Sequence, residues 1–150
     1  MTEVSLNRYH VPASRPPTYG ENIGLHEADA DELIETLKRG LPVTAFDNLR
    51  DALDVTKLEL AGVLGISERT LARRLKSSRF NSEESERIYR IARLLAKATV
   101  VLESDGEAAI WLKTPKRYLK GKIPLQYAGT EVGAQTVERL LGRIEHGVFS

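Results

Sequence analysis

Residues 56–76 read TKLELAGVLGISERTLARRLK. Thr56 and Glu59 stand three apart as a capping box, in which hydroxyl and carboxylate satisfy the free amides of a helix start. Leu60, Ala61 and Leu64 then share one face. Gly65 stops the helix in the left-handed conformation that glycine adopts without strain, and Ser67 is the N-cap of the next helix. A helix-turn-helix needs a small residue where two helices meet, a glycine in the turn, and apolar side chains that fix their crossing. Ala61, Gly65 and the set Leu60, Leu64, Ile66 and Leu71 supply these at the right offsets. Leu71 and Leu75 lie four apart and point inward, which leaves Arg69, Thr70, Arg73, Arg74 and Lys76 for the outer surface of the second helix. Arg74 stands where the motif usually closes on an apolar residue, and Leu75 comes one place late, an offset that predicts a tilted helix or a longer turn.

Charge supports an anionic partner for that surface. Arg69, Arg73, Arg74, Lys76 and Arg79 face no acid in their own stretch. Arginine pairs bidentately with guanine and with phosphate oxygens, whereas Ser67, Thr70 and the amides at the helix start position a backbone. A solvated basic face on an ordinary helical hairpin is the plainer alternative. One such helix reads a single half-site, so a homodimer is expected. By contrast, the first 40 residues hold four Lys or Arg against seven acids and do not grip DNA as a whole.

Outward from the motif, every periodic segment is helical. Pro12, Pro16, Pro17 and Gly20 break residues 1–20 into a leader. A short helix runs from Asp29 with Leu33, Ile34 and Leu37 apolar and ends at Gly40. Phe46, Leu49, Leu53 and Val55 continue at three-to-four spacing as another. Asn81-Ser82 followed by Glu83, Glu84 and Glu86 opens the longest helix, whose face carries Ile88, Ile91, Ala92, Leu95, Ala98, Thr99 and Leu102. Ser104-Asp105-Gly106 breaks it. A shorter helix over Glu107–Lys113 carries Trp111, residues 116–129 form an ordered loop with one helical turn, and Thr130 caps a last helix with Val137, Leu140, Leu141 and Ile144 buried. That helix runs out at His146-Gly147, beyond which the apolar Val148 and Phe149 are expected to be exposed. The expected class is all-α: a leader and short helix over 1–40, a helix-turn-helix domain with its long linking helix over 41–104, and a small helical lobe over 105–150.

Composition excludes several function classes. There is no Cys and only three His among 150 residues, so disulfides and thiolate metal sites are absent and no metal site is expected. No apolar run approaches a membrane span and the first residues lack a signal-peptide core, which makes the cytoplasm the expected compartment. No paired carboxylates, nucleophile with base, or phosphate loop stand in any recognisable order, so no catalytic residue is named and an enzyme is not expected.

The sequence resembles the Xre-type antitoxins that carry an Xre/MbcA/ParS toxin-binding domain. The likeness rests on blocks within Ile66–Leu75, Glu84–Arg90, Ala109–Leu112, Lys120–Leu125 and Arg143–Ser150. It covers roughly residues 45–150 and implies an antitoxin encoded beside a RES-domain toxin that consumes NAD. It further implies that the first half binds the operon's own operator DNA, and that the second half covers the toxin with Arg143, Glu145, His146, Gly147, Val148, Phe149 and Ser150 directed toward the NAD pocket. Trp111 is read either as a contact to the toxin or as the core anchor of a small lobe. Gly121 and Pro124 are turn formers and Gly147 is a helix cap on the plain reading. No cofactor is implied. A helix-turn-helix repressor whose second lobe only dimerises or senses a small ligand remains the alternative.

Overall fold

Local punctuation sets the helices. Thr56 and Glu59 form the expected box, with the Thr56 amide donating to Glu59 Oε1 at 2.8 Å and the Glu59 amide to Thr56 Oγ1 at 3.1 Å. Asn81 and Glu84 repeat the device at 2.9 and 2.8 Å. Ser67, Ser104 and Thr130 cap through their hydroxyls. The computed structural model describes residues 21–24 and 30–147 and has eight α-helices and no strand among them, and these caps start five of the eight. The leader over 1–20 and Val148, Phe149 and Ser150 lie outside the described residues.

A 3-10 turn at Glu21–Ile23 precedes α1 (Ala30–Arg39), α2 (Val43–Leu53), α3 (Lys57–Leu64), α4 (Glu68–Ser77) and α5 (Ser82–Leu102). There follow α6 (Asp105–Lys113), a 3-10 turn at Arg117–Leu119, α7 (Pro124–Tyr127) and α8 (Glu131–Glu145). Leu64 and Glu68 bound a turn that keeps its expected length, with Gly65 left-handed at φ 69°. Ile34, placed on an inward stripe by its spacing, is 47% exposed, because α1 meets the core mainly through Leu37. Ser104 begins α6 as its cap rather than only ending α5, so α6 starts at Asp105 and not at Glu107. The stretch 116–129 holds two short helical turns instead of one.

α5 is the axis of the molecule. Ile88, Leu94 and Ala98 are fully inaccessible, and Ile91, Ala92, Leu95 and Thr99 are buried beside them. α1, α2, α6 and α8 all pack on it. α8 runs in the same direction as α5, since Arg90 pairs with Glu131 at 3.0 Å and Arg93 with Glu138 at 2.8 Å. The turn between α1 and α2 meets the turn between α4 and α5, where the Phe80 amide donates to Leu41 O at 2.9 Å and the Leu41 amide to Ser85 Oγ at 2.7 Å. Phe46 and Phe80 stack there with ring centroids 5.6 Å apart.

Two glycines make close approaches possible. Gly40 has φ 97°, and a Cβ on it would lie 2.0 Å from the Phe80 carbonyl oxygen. On Gly133 it would lie 1.7 Å from the Tyr127 carbonyl oxygen, so α8 can start against α7 only without a side chain at that position. No helix among the described residues is long and apolar enough to cross a membrane.

Candidate nucleic-acid and partner interfaces

α4 offers a polar face because little of it is needed for packing. Leu71 is its one buried residue and Leu75 packs partly against the core. Ser67 Oγ accepts from the Thr70 amide at 3.1 Å and donates to Thr70 Oγ1 at 3.1 Å, which orders the first turn. Arg69, Arg73 and Lys76 are exposed, Thr70 is half-buried, and Ser67 stands exposed at the start of the helix. Three cations and the capping hydroxyl are thus exposed on α4.

Arg74 is the exception to the expected outer face. Its Nε and Nη2 donate to Glu84 Oε1 and Oε2 at 2.7 and 3.1 Å, and its side chain is only 20% exposed. The late apolar position thus has a use: where the motif usually ends on a hydrocarbon, a bidentate ion pair ties the end of α4 to the first turn of α5. Glu84 is the acid that the basic stretch seemed to lack. Burial pushes its carboxyl up, but the hydrogen bonds from Arg74 and the Asn81 amide outweigh burial and hold it below the ordinary carboxylate range. Arg79 is likewise committed, donating to the Gly40 carbonyl. Of the five expected cations, three remain for a partner.

The second lobe is built from α6 to α8 against α5. Trp111 is half-buried and packs on the core, and Lys116 Nζ lies over its ring at 4.5 Å from the centroid. Desolvation lowers the Lys116 ammonium below its ordinary value. Arg143, Glu145 and His146 are exposed at the end of α8, and Gly147 takes φ 72° as the helix stops. The residues expected to meet a toxin therefore fall into two groups: Trp111 on the lobe's body, and Arg143 to Gly147 at the far end of α8.

Between the halves lies a groove of about 820 Å³, lined by Leu58, Glu59 and Gly62 of α3 on one side and by Lys113, Ile123 and Gln126 on the other. Lys113 Nζ donates across to the Asp54 carbonyl at 3.2 Å, just before the α3 cap. The lobe is thereby fastened beside the first helix of the helix-turn-helix. Periodicity has no access to this contact, which spans 59 residues of chain.

Comparison with known proteins assigns both halves. The family described as antitoxin Xre-like helix-turn-helix domain matches residues 32–93, and the antitoxin Xre/MbcA/ParS C-terminal toxin-binding domain matches residues 97–147. A protein named Antitoxin Xre from Yersinia enterocolitica is 36% identical over 148 residues, covering 97% of this chain and 100% of that one. Another Antitoxin Xre, from Photorhabdus laumondii, is 35% identical over 130 residues, covering 85% of this chain and 88% of its own. More distant, at 24% identity over 136 residues and 84% and 86% coverage, is a protein of Sphingobium sp. named Prs ADP-ribosylating antitoxin.

Proposed function

Since the chain belongs to the Xre antitoxin family, as an antitoxin of a toxin–antitoxin system and not an enzyme, we propose that its toxin is a RES-domain protein that degrades NAD. The antitoxin covers that toxin's active site, and as a dimer in the cytoplasm it represses its own operon by binding the operator. The observation that carries the DNA half is α4 itself: Arg69, Arg73 and Lys76 exposed on a helix held by the cap at Ser67 and by one buried leucine. Residues so placed add contacts to bases and phosphates at little cost in packing. The NAD half rests on the sequence resemblance and on the name of the Sphingobium relative, since ADP-ribosylation consumes NAD.

The end of α8 supports the occlusion reading. The helix stops at Gly147, and Val148 and Phe149 come next in the chain. Burying one Val and one Phe in a partner contributes roughly 3–6 kcal/mol before ordering costs, a large share of a tight complex. Residues 147–150 inserted in the pocket exclude NAD directly. The experiment is a growth rescue with the cognate toxin, paired with NAD consumption by purified toxin in the presence of antitoxin. Deletion of Gly147–Ser150 is expected to abolish protection and leave DNA binding nearly intact, with circular dichroism verifying the fold. Full protection by the folded truncation overturns occlusion by this segment.

A further inference from the structure

The charge of the second lobe is concentrated in one place. Between Glu107 and Glu131 there is no acid, and Lys113, Lys116, Arg117, Lys120 and Lys122 fall within ten residues, against five cations in the eleven residues from Arg69 to Arg79. The stretch is not a loose tail. The Lys116 amide donates to Lys122 O at 3.0 Å, the Gly121 amide to Lys116 O at 2.9 Å, and Lys120 and Gly121 turn the chain at φ 58° and 82°. Leu119 and Leu125 are buried beneath it.

The five cations divide by task. Lys113 reaches the Asp54 carbonyl and Lys116 lies over Trp111, so these two hold the loop against the core and beside α3. Arg117, Lys120 and Lys122 are exposed, with Tyr118 64% exposed among them. The acid that lines the groove beside Lys113 is Glu59, which the Thr56 amide engages in its capping box and keeps ionised.

We propose that the loop over Lys116–Lys122 is a second DNA-contacting surface of this protein, which grips the phosphate strand beside the one that α3 crosses. This rests on the reading of α4 as a recognition helix. In a helix-turn-helix the first helix crosses the sugar-phosphate backbone while the second enters the groove. α3 is that first helix, Lys57 is exposed on its first turn, and Lys113 at the end of α6, three residues before the loop, is bonded to the Asp54 carbonyl beside that start. Phosphate contacts draw on Lys, Arg and Tyr. The core of a protein interface is instead depleted of Lys and needs apolar anchors, and here the loop's leucines are turned inward. The consequence is regulatory: the lobe that matches a toxin-binding domain would also touch DNA, and any change the toxin makes in DNA affinity must be matched by an equal change that DNA makes in toxin affinity.

The test uses the full chain with a labelled operator duplex and an unrelated duplex, titrated across salt. Three proteins are compared with wild type: Arg117→Ser with Lys120→Ser and Lys122→Ser; the charge-keeping pair Lys120→Arg with Lys122→Arg; and Arg73→Glu. Removing three phosphate contacts should flatten the slope of log affinity against log salt by about 2.7, so that between 50 and 200 mM salt wild type loses roughly forty-fold more affinity than the triple variant. Both duplexes should be affected alike, the arginine pair should behave as wild type, and calorimetry should show unchanged toxin affinity. A wild-type slope in a folded triple variant overturns the proposal, and so does an effect confined to toxin binding, which makes the loop a toxin-docking surface. If wild type itself binds with no salt dependence and Arg73→Glu changes nothing, the α4 reading has failed and this one falls with it.

Discussion

α4 and α5 are consecutive in the chain and opposite in construction. α4 buries Leu71 alone over ten residues, whereas α5 buries ten of its 21. A helix so lightly packed is held by its ends: Ser67 at its start, and the Arg74–Glu84 pair tying its last turn to α5. Its surface is therefore free to change with the sequence it reads. α5 has no such freedom, because helices of both matched domains pack against it. The difference separates the part that can vary from the part that keeps both functions in one body.

The same substitution in the two helices breaks the comparison most sharply. Leu94→Ala, at a fully inaccessible site in α5, should cost about 3–5 kcal/mol, and Leu71→Ala in α4 about 2–3 kcal/mol because its surroundings can relax. Denaturant titration checks both. Leu94→Ala should weaken DNA binding and toxin neutralisation together, while Leu71→Ala should spare the second. Equal costs would mean that α4 is as tightly packed as the axis.

Glu84→Gln is the intermediate case, since it keeps an acceptor for the Asn81 cap and removes the charge facing Arg74. A drop of about 1–2 kcal/mol is expected at neutral pH. Glu84 titrates below its unfolded value, so its stabilisation is fully present above about pH 4.5 and is lost as pH falls through the lower folded value. Wild type should approach the Glu84→Gln variant in thermal melts below pH 4.5. A constant gap down to pH 2 would remove the carboxylate as the cause.

The smallest effect on stability should come from Arg73→Glu, alone or with Arg69→Glu. Both side chains are exposed and neither has an ion-pair partner among the described residues, so the melting temperature should stay within about a degree. Mobility shift should nevertheless show operator binding abolished, with each lost base or phosphate contact costing about 1–3 kcal/mol. Retained affinity would take these residues out of the interface.

The helix-turn-helix was legible because its signals are local. Capping boxes join residues three apart, the turn glycine needs only its own φ, and an apolar stripe repeats within one turn of helix. The caps at Thr56, Ser67, Asn81 and Thr130 were all readable in this way. The charge of residues 113–122 was equally present in the sequence, but it sits mostly in short turns without periodicity, where spacing does not set which side chains face solvent.

What the amino-acid order determined by itself was the longer helices, the caps at Thr56, Ser67, Asn81 and Thr130, and the exposure of Arg69, Arg73 and Lys76 on α4. The tertiary structure alone decided which cations are free. Arg74 looked like its neighbours until Glu84, ten residues on, was folded against it. Lys113 became a fastener only because Asp54 was brought across 59 residues. α8 lies along α5 in the same direction through pairs more than forty residues apart. Hydrogen bonding within a turn acts over a few residues of chain, whereas ion pairing and desolvation depend on distance in space, which no spacing in the sequence records.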